Sequence, residues 1–133
     1  MILLDTQAAV WFTTDNNLLG KRSLRMADRA AADGELAVSA ITFWEIALLV
    51  AKRRMRSIDS AAETRRLVLN VGIVELPLTG EIAILAAELE GLHGDPADRF
   101  IAATAITHNA ALMTADDRLL RWRHGVRRHN AEI

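Results

Sequence analysis

Short apolar runs, each set off from the next by a stretch of helical periodicity, constrain this chain more than any other feature. Met1 to Asp5 reads as a short buried strand. Leu36 to Ala40, Ile73 to Leu76 and Ala111 to Thr114 read as three more, and Val126 to Arg128 as a brief last one. Between them lie Gln7 to Phe12, a short helix or turn, and Ser23 to Asp33, a helix stopped by Gly34. Helices also follow at Phe43 to Arg54, Ala61 to Val71, Glu81 to Leu92 and Pro96 to His108, with a helical turn at Asp117 to Arg123. Parallel strands need long crossovers, and a helix is the usual one. The alternation therefore predicts an α/β domain of three layers: a mainly parallel sheet of four to five strands, flanked by helices on both faces. With 133 residues, 51% of them hydrophobic, residues 1–133 fit a single domain with a core that needs no covalent staples.

The absence of cysteine excludes a disulfide framework and a thiolate metal site. The opening Met-Ile-Leu-Leu-Asp carries an acid at position five and no basic leader, unlike a signal peptide. The longest apolar stretch, Ile101 to Ala115, is broken by His108 and Asn109 and is too short for a bilayer. A soluble, cytoplasmic protein with no membrane partner is the expectation. A net charge of −1 argues against a simple electrostatic binder of nucleic acid. The basic residues are nonetheless clustered. Lys52, Arg53, Arg54 and Arg56 form one run, and Arg118, Arg121, Arg123, Arg127 and Arg128 another. The first run suits a helix end, where cations complement the macrodipole, and equally suits a phosphate contact.

Ligands of open parallel sheets bind at the carboxyl ends of the strands. Asp5 closes the first strand, Glu45 sits in the first turn of the helix after the second, and Asp116 lies just past the fourth. Asp98 opens a helix that returns antiparallel to the fourth strand, so it too begins at that edge. Taken singly, each acid reads as a cap. Thr42-Phe43-Trp44-Glu45 matches a capping box, and Asp95-Pro96-Ala97-Asp98 matches an N-cap, a proline at the first helical position and a first-turn acid. Asp5 and Asp116 would cap the turns that follow them. Taken together, grouped carboxylates raise one another's pKa unless a cation sits among them. Mg²⁺ prefers oxygen ligands and Mn²⁺ shares the preference, whereas zinc lacks both cysteines and paired histidines here. Such a centre suits phosphodiester hydrolysis.

The segments around these acids resemble the PIN-domain family, and within it VapC-type toxins of bacterial toxin–antitoxin pairs. The matching pieces are Leu3-Leu4-Asp5-Thr6, Val38-Ser39-Ala40 leading to Trp44-Glu45-Ile46-Ala47, Asp95-Pro96-Ala97-Asp98-Arg99 with Ile101-Ala102-Ala103-Thr104-Ala105, and Leu112-Met113-Thr114-Ala115-Asp116. They occur in the family's order and cover essentially the whole chain. The resemblance implies a parallel sheet flanked by helices and metal-dependent RNA cleavage, with Asp5, Glu45 and Asp98 as principal acids and Asp116 as the fourth. It implies Mg²⁺, with Mn²⁺ as a substitute, an RNA substrate, a cognate antitoxin that blocks the site, and a homodimer. Thr114, just ahead of the fourth acid, would support that acid or a metal-bound water. Gln7 departs from the pattern, standing where relatives often carry histidine. Asp117, beside Asp116, leaves the register of the fourth acid ambiguous, and the spacing after Thr114 favours Asp116.

Ser39 lies at the same sheet edge and is expected to hydrogen-bond a site carboxylate. Lys52, Arg53, Arg54 and Arg99 are candidate RNA contacts, although Arg99 would equally pair with a site acid or face solvent. His93, His108, His124 and His129 show no ligand spacing and read as surface or loop residues. Trp11, Trp44 and Trp122 suit core packing or a partner interface better than base stacking. A phospho-receiver shares the layout of acids at a sheet edge but needs a lysine at the end of the last strand, and the only lysines are Lys21 and Lys52. A non-catalytic nucleic-acid or protein-binding module on the same fold is the other alternative.

Overall fold

The structure is a computed structural model that describes residues 1–54, 58 and 60–133. Arg56 of the first basic run lies outside the described residues. Five strands form one sheet: β1 (Ile2–Leu4), β2 (Leu36–Ser39), β3 (Val74–Leu76), β4 (Ala111–Thr114) and β5 (Arg128–Asn130). The order is β3-β2-β1-β4-β5, and every pairing is parallel. The helices are α1 (Thr6–Thr14), α2 (Lys21–Ala32), α3 (Ile41–Ala51), α4 (Ala61–Asn70), α5 (Gly80–Glu88), α6 (Pro96–Thr107) and α7 (Asp117–Leu120), with a 3₁₀ turn at Asn16–Leu18. No described helix is long and apolar enough to cross a membrane.

Strand periodicity sorts the core into two layers. Leu3, Ala37 and Leu112 face one side, where Ala97, Ile101, Ala102 and Ala105 of α6 cover them. Leu4, Leu36, Val38 and Met113 face the other, under Ala8 and Ala9 of α1, Ala27 and Ala30 of α2, and Val68 of α4. Small residues on the covering helices let them lie close to the strands. On its outer side, α6 packs Ala103 against Ile82 and Ala86 of α5. Helix α3 bridges the layers, with Ile41 in the α6 cluster and Ile46 against Val10 of α1.

Several boundaries move for reasons that lie outside the local sequence. Helix α3 starts at Ile41, with Ala40 as N-cap and no side-chain cap. The expected Thr42–Glu45 capping box therefore does not form. Thr42 is buried inside the helix against the Thr6 hydroxyl, 3.2 Å away, and Glu45 falls in the second turn. Helix α5 stops at Glu88 rather than running to Leu92. Its open carbonyls, together with those that follow, are collected by one side chain. The Arg99 Nε–H donates to Ala86 O, its Nη1 group to Leu92 O and His93 O, and its Nη2 group to Ala87 O and Leu89 O. The last strand is shifted to Arg128–Asn130. There the Arg128 guanidinium donates to the carbonyls of Leu119, Trp122 and His124 and ties the strand to the end of α7.

Gly20 precedes α2 where the backbone of Ile133 crosses it. A Cβ at this position would sit 2.1 Å from the Ile133 carbonyl carbon. The approach is held by Gly20 N–H to Ala131 O at 2.9 Å and Arg22 N–H to Ile133 O at 3.0 Å. Gly20→Ala is expected to break this seam and cost about 1–3 kcal/mol, the usual range for overpacking. A urea melt checks the loss, and faster amide exchange at Gly20 and Arg22 localises it.

Candidate active site

The strand order reverses between β1 and β4. The chain leaves β1 toward β2 and returns later to β4 on β1's other side. A crevice is expected at such a switch point, outside the carboxyl ends of the two strands. A cleft of about 320 Å³ lies there, lined by Asp5, Thr6, Gln7, Glu45, Leu49, Asp95, Asp98, Ala115, Asp116 and Arg118. All four acids singled out from the sequence line it, and Asp95 joins them. Asp117, the alternative to Asp116, is exposed at the first position of α7 and does not line the cleft.

Three of these acids also serve as caps, so the local and the convergent readings hold together. Asp5 caps α1, accepting from Ala8 N–H at 2.8 Å. Asp95 caps α6 ahead of Pro96 by accepting from Asp98 N–H. Asp116 caps α7 through Arg118 N–H at 2.7 Å. Glu45 arrives differently, projected by α3 from its place between α1 and α6.

Thr114 joins the two strand ends. Its hydroxyl donates to Asp5 Oδ2 and accepts from Asp116 N–H at 3.0 Å. It thus orients the first acid as well as the fourth. Ser39 does not fulfil its expected role. Its Oγ accepts from Ile41 N–H at 3.2 Å and serves the start of α3, because the hydroxyl meets the free backbone donor two residues on before any carboxylate. Arg99 is corrected as well. It pairs with no site acid, and all five of its N–H donors are committed to backbone carbonyls, which leaves none for a phosphate.

His93 is the residue the sequence reading missed. Its Nε2 lies 2.8 Å from Asp98 Oδ2, and it sits in a partly buried pocket rather than free at the surface. Its only sequence signal is a separation of five residues across the loop before α6, which no common motif predicts. Arg118 is the second addition. Its Nη2 lies 3.0 Å from Asp116 Oδ2 and 3.6 Å from Asp98 Oδ2.

The electrostatics follow from crowding acids in a half-closed space. Asp5 is only 5% exposed, and burial pushes its carboxyl up to about 6. The hydrogen bonds from Thr114 and Ala8 restrain that rise, while the charges of Asp98 and Asp116 add to it. Glu45 is raised by burial and by Asp98 and Asp95, partly offset by the Thr6 hydroxyl. Asp98 is raised by burial and by Asp95 and Asp116, against the His93 hydrogen bond. Asp116 is the exception. Burial raises it, but the Arg118 side-chain and backbone hydrogen bonds outweigh burial and hold it below the usual carboxylate range.

This donor set suits a hard divalent cation. Every candidate ligand is a carboxylate or hydroxyl oxygen, and three of the carboxyls are raised, first by burial and then by neighbouring acids. Among the described residues, no three acids or histidines are grouped closely enough to enclose an ion as they stand. Thr114, His93 and Arg118 each hold a carboxylate oxygen by a hydrogen bond.

Leu49 lines the cleft wall, and the basic run follows the end of α3 at Ala51, with Lys52 as its C-cap and Arg53 in the left-handed region at φ 53°. Lys52, Arg53 and Arg54 are exposed. Of the tryptophans, Trp122 is buried with its Nε1–H on Glu90 O, Trp11 packs on the α1 side, and Trp44 is 47% exposed on α3.

Comparison with known proteins places the fold and the chain together. The family model for the PIN domain matches residues 2–124. Ribonuclease VapC22 of Mycobacterium tuberculosis is 35% identical over 125 residues, 92% of each chain. Among solved structures, VapBC2 from Rickettsia felis, bound to a DNA fragment from its promoter, superimposes with a TM-score of 0.69 at 20% identity, covering 98% of both chains. A toxin–antitoxin complex from Klebsiella pneumoniae superimposes at 0.61, with 21% identity and 95% of both chains covered.

Proposed function

Because this chain belongs to the PIN-domain family, we propose that it is an endoribonuclease that hydrolyses RNA at a Mg²⁺ or Mn²⁺ centre and serves as the toxin of a type II toxin–antitoxin pair. The observation that carries this reading is the convergence of Asp5, Glu45, Asp98 and Asp116 on one cleft at the β1–β4 switch point. The relative named as a ribonuclease supports RNA as substrate. The complexes of similar fold support a cognate antitoxin as partner. Exposed Trp44 and Leu48, one turn apart on α3, offer an apolar face to that antitoxin or to a second copy in a homodimer. Residues 1–133 act as one domain in this reading, in the cytoplasm, where the RNA is.

The four carboxylates would hold the ion, which when bound activates water and offsets charge on the phosphate and the leaving oxygen. The remaining work belongs to the protein. Thr114 and the Ala8 N–H hold Asp5 in a fixed orientation, and His93 does the same for Asp98. Lys52, Arg53 and Arg54 would seat flanking phosphates beyond Leu49.

Asp98→Asn is expected to lower cleavage about a thousandfold with an unchanged far-UV circular dichroism spectrum. EDTA is expected to stop the wild type. Wild-type cleavage rates in the variant would refute the site, and activity indifferent to EDTA would refute the metal chemistry.

A further inference from the structure

The cleft is lined by five acids and, among the described residues, a single cation. That cation, Arg118, is bonded to both oxygens of Asp116. Its backbone N–H and Nε–H reach Oδ1 at 2.7 and 3.3 Å, and its Nη2 reaches Oδ2 at 3.0 Å. The same Nη2 lies 3.6 Å from Asp98 Oδ2, the oxygen that also meets His93. The guanidinium therefore lies between two acids of the cleft, Asp116 and Asp98. In the absence of an ion, a bridging guanidinium is what crowded carboxylates require.

We propose that Arg118 is the built-in counter-ion of this site, competing with the divalent metal for Asp98 and Asp116. The proposal rests on the metal-site reading above and deepens it. An ion approaching Asp116 must share or displace the N–H donors of Arg118, which engage both of its oxygens and bring a like charge close to the ion. Asp98 cannot leave its present position without also leaving Arg118. The exchange is easy to make, because Arg118 is 57% exposed on the four-residue α7 and its side chain can swing to solvent. Metal binding by this chain thus carries a tax that chains without a basic residue at this position do not bear. Its effect is to weaken binding at low metal and to offset the charge of the two acids when no metal is bound.

The test is calorimetric titration of Mn²⁺ into the full chain without RNA. Arg118→Ala and Arg118→Gln are each expected to tighten Mn²⁺ binding about fivefold, the scale of releasing exposed ion pairs. Arg118→Lys, which keeps the charge, is expected to stay near wild type. Asp98→Asn is expected to lose binding. If Asp98→Asn loses binding while both neutral variants bind no tighter than wild type, Arg118 is not a competitor and the metal site stands. If wild type binds no Mn²⁺, or Asp98→Asn binds as well as wild type, the metal reading falls and this proposal with it. A variant that fails to fold is recognised by its circular dichroism, and the second neutral variant then decides.

Discussion

Asp5→Asn is expected to lower RNA cleavage about a thousandfold while making the metal-free protein more stable at neutral pH. The two effects share one cause. Asp5 sits at the end of the central strand, almost wholly buried, with Asp98 and Asp116 nearby. Its ionised form is the one needed by a cation and the one the fold penalises. In the unfolded chain the carboxyl titrates near 3.8, and in the folded protein near 6. Between those values the folded state holds the proton more tightly, so stability falls as pH rises through the window. The penalty is absent below about pH 4 and complete above about pH 6. A shift of this size corresponds to about 3 kcal/mol. Asparagine removes the charge and still accepts from Ala8 N–H. It does not accept the Thr114 hydroxyl proton as well, which costs about 1 kcal/mol. A net gain of about 1–2 kcal/mol is expected at pH 7.5 and none at pH 4, measured by urea melts of both proteins at both pH values. Added Mg²⁺ is expected to stabilise wild type and not the variant. A variant less stable than wild type at pH 7.5 would mean that the Thr114 bond outweighs the buried charge.

Arg99→Ala is expected to cost about 3–4 kcal/mol, a large share of the stability of an ordinary domain. Five carbonyls from the end of α5 through His93 share this one guanidinium. Its removal leaves four of them, all but the exposed Ala87 carbonyl, partly buried without this donor. Arg99→Lys is expected to recover less than half of the loss, because an ammonium has three donors at one point and cannot reach both sides of the fork. The same carbonyls position the loop that presents His93 to Asp98. Cleavage by the lysine variant is therefore expected to fall as well, by about tenfold, even below its melting temperature. Denaturant melts and initial rates together check this. A lysine variant with wild-type stability and rate would show that the loop holds itself.

Most of the architecture is legible along the chain. Runs such as Leu3-Leu4 and Leu112-Met113 alternate between the two sheet faces, and helical stretches of small residues lie between them. Asp95-Pro96 marks the start of α6, and Asp5 marks the start of α1. The four acids are legible too, because a carboxylate that closes a strand or opens a returning helix is carried to one edge by the topology alone. Backbone preferences and side-chain periodicity act within four residues, so sequence reports them directly.

The tertiary structure decided the partners of those acids and the use of the long basic side chains. Ser39 was free, on sequence, to reach a carboxylate, and the backbone of Ile41 took it first. On sequence Arg99, beside Asp98, suits an RNA contact, an ion pair or solvent, and in the structure it caps a helix that ends eleven residues earlier. On sequence His93 reads as a surface or loop residue and Arg118 as one member of a basic run, whereas in the structure they hold Asp98 and Asp116. A flexible side chain several bonds long bonds to whatever polar group lies within its reach in space. That is set by the packing of α5, α6 and α7 around the sheet, and no local pattern of residues encodes it.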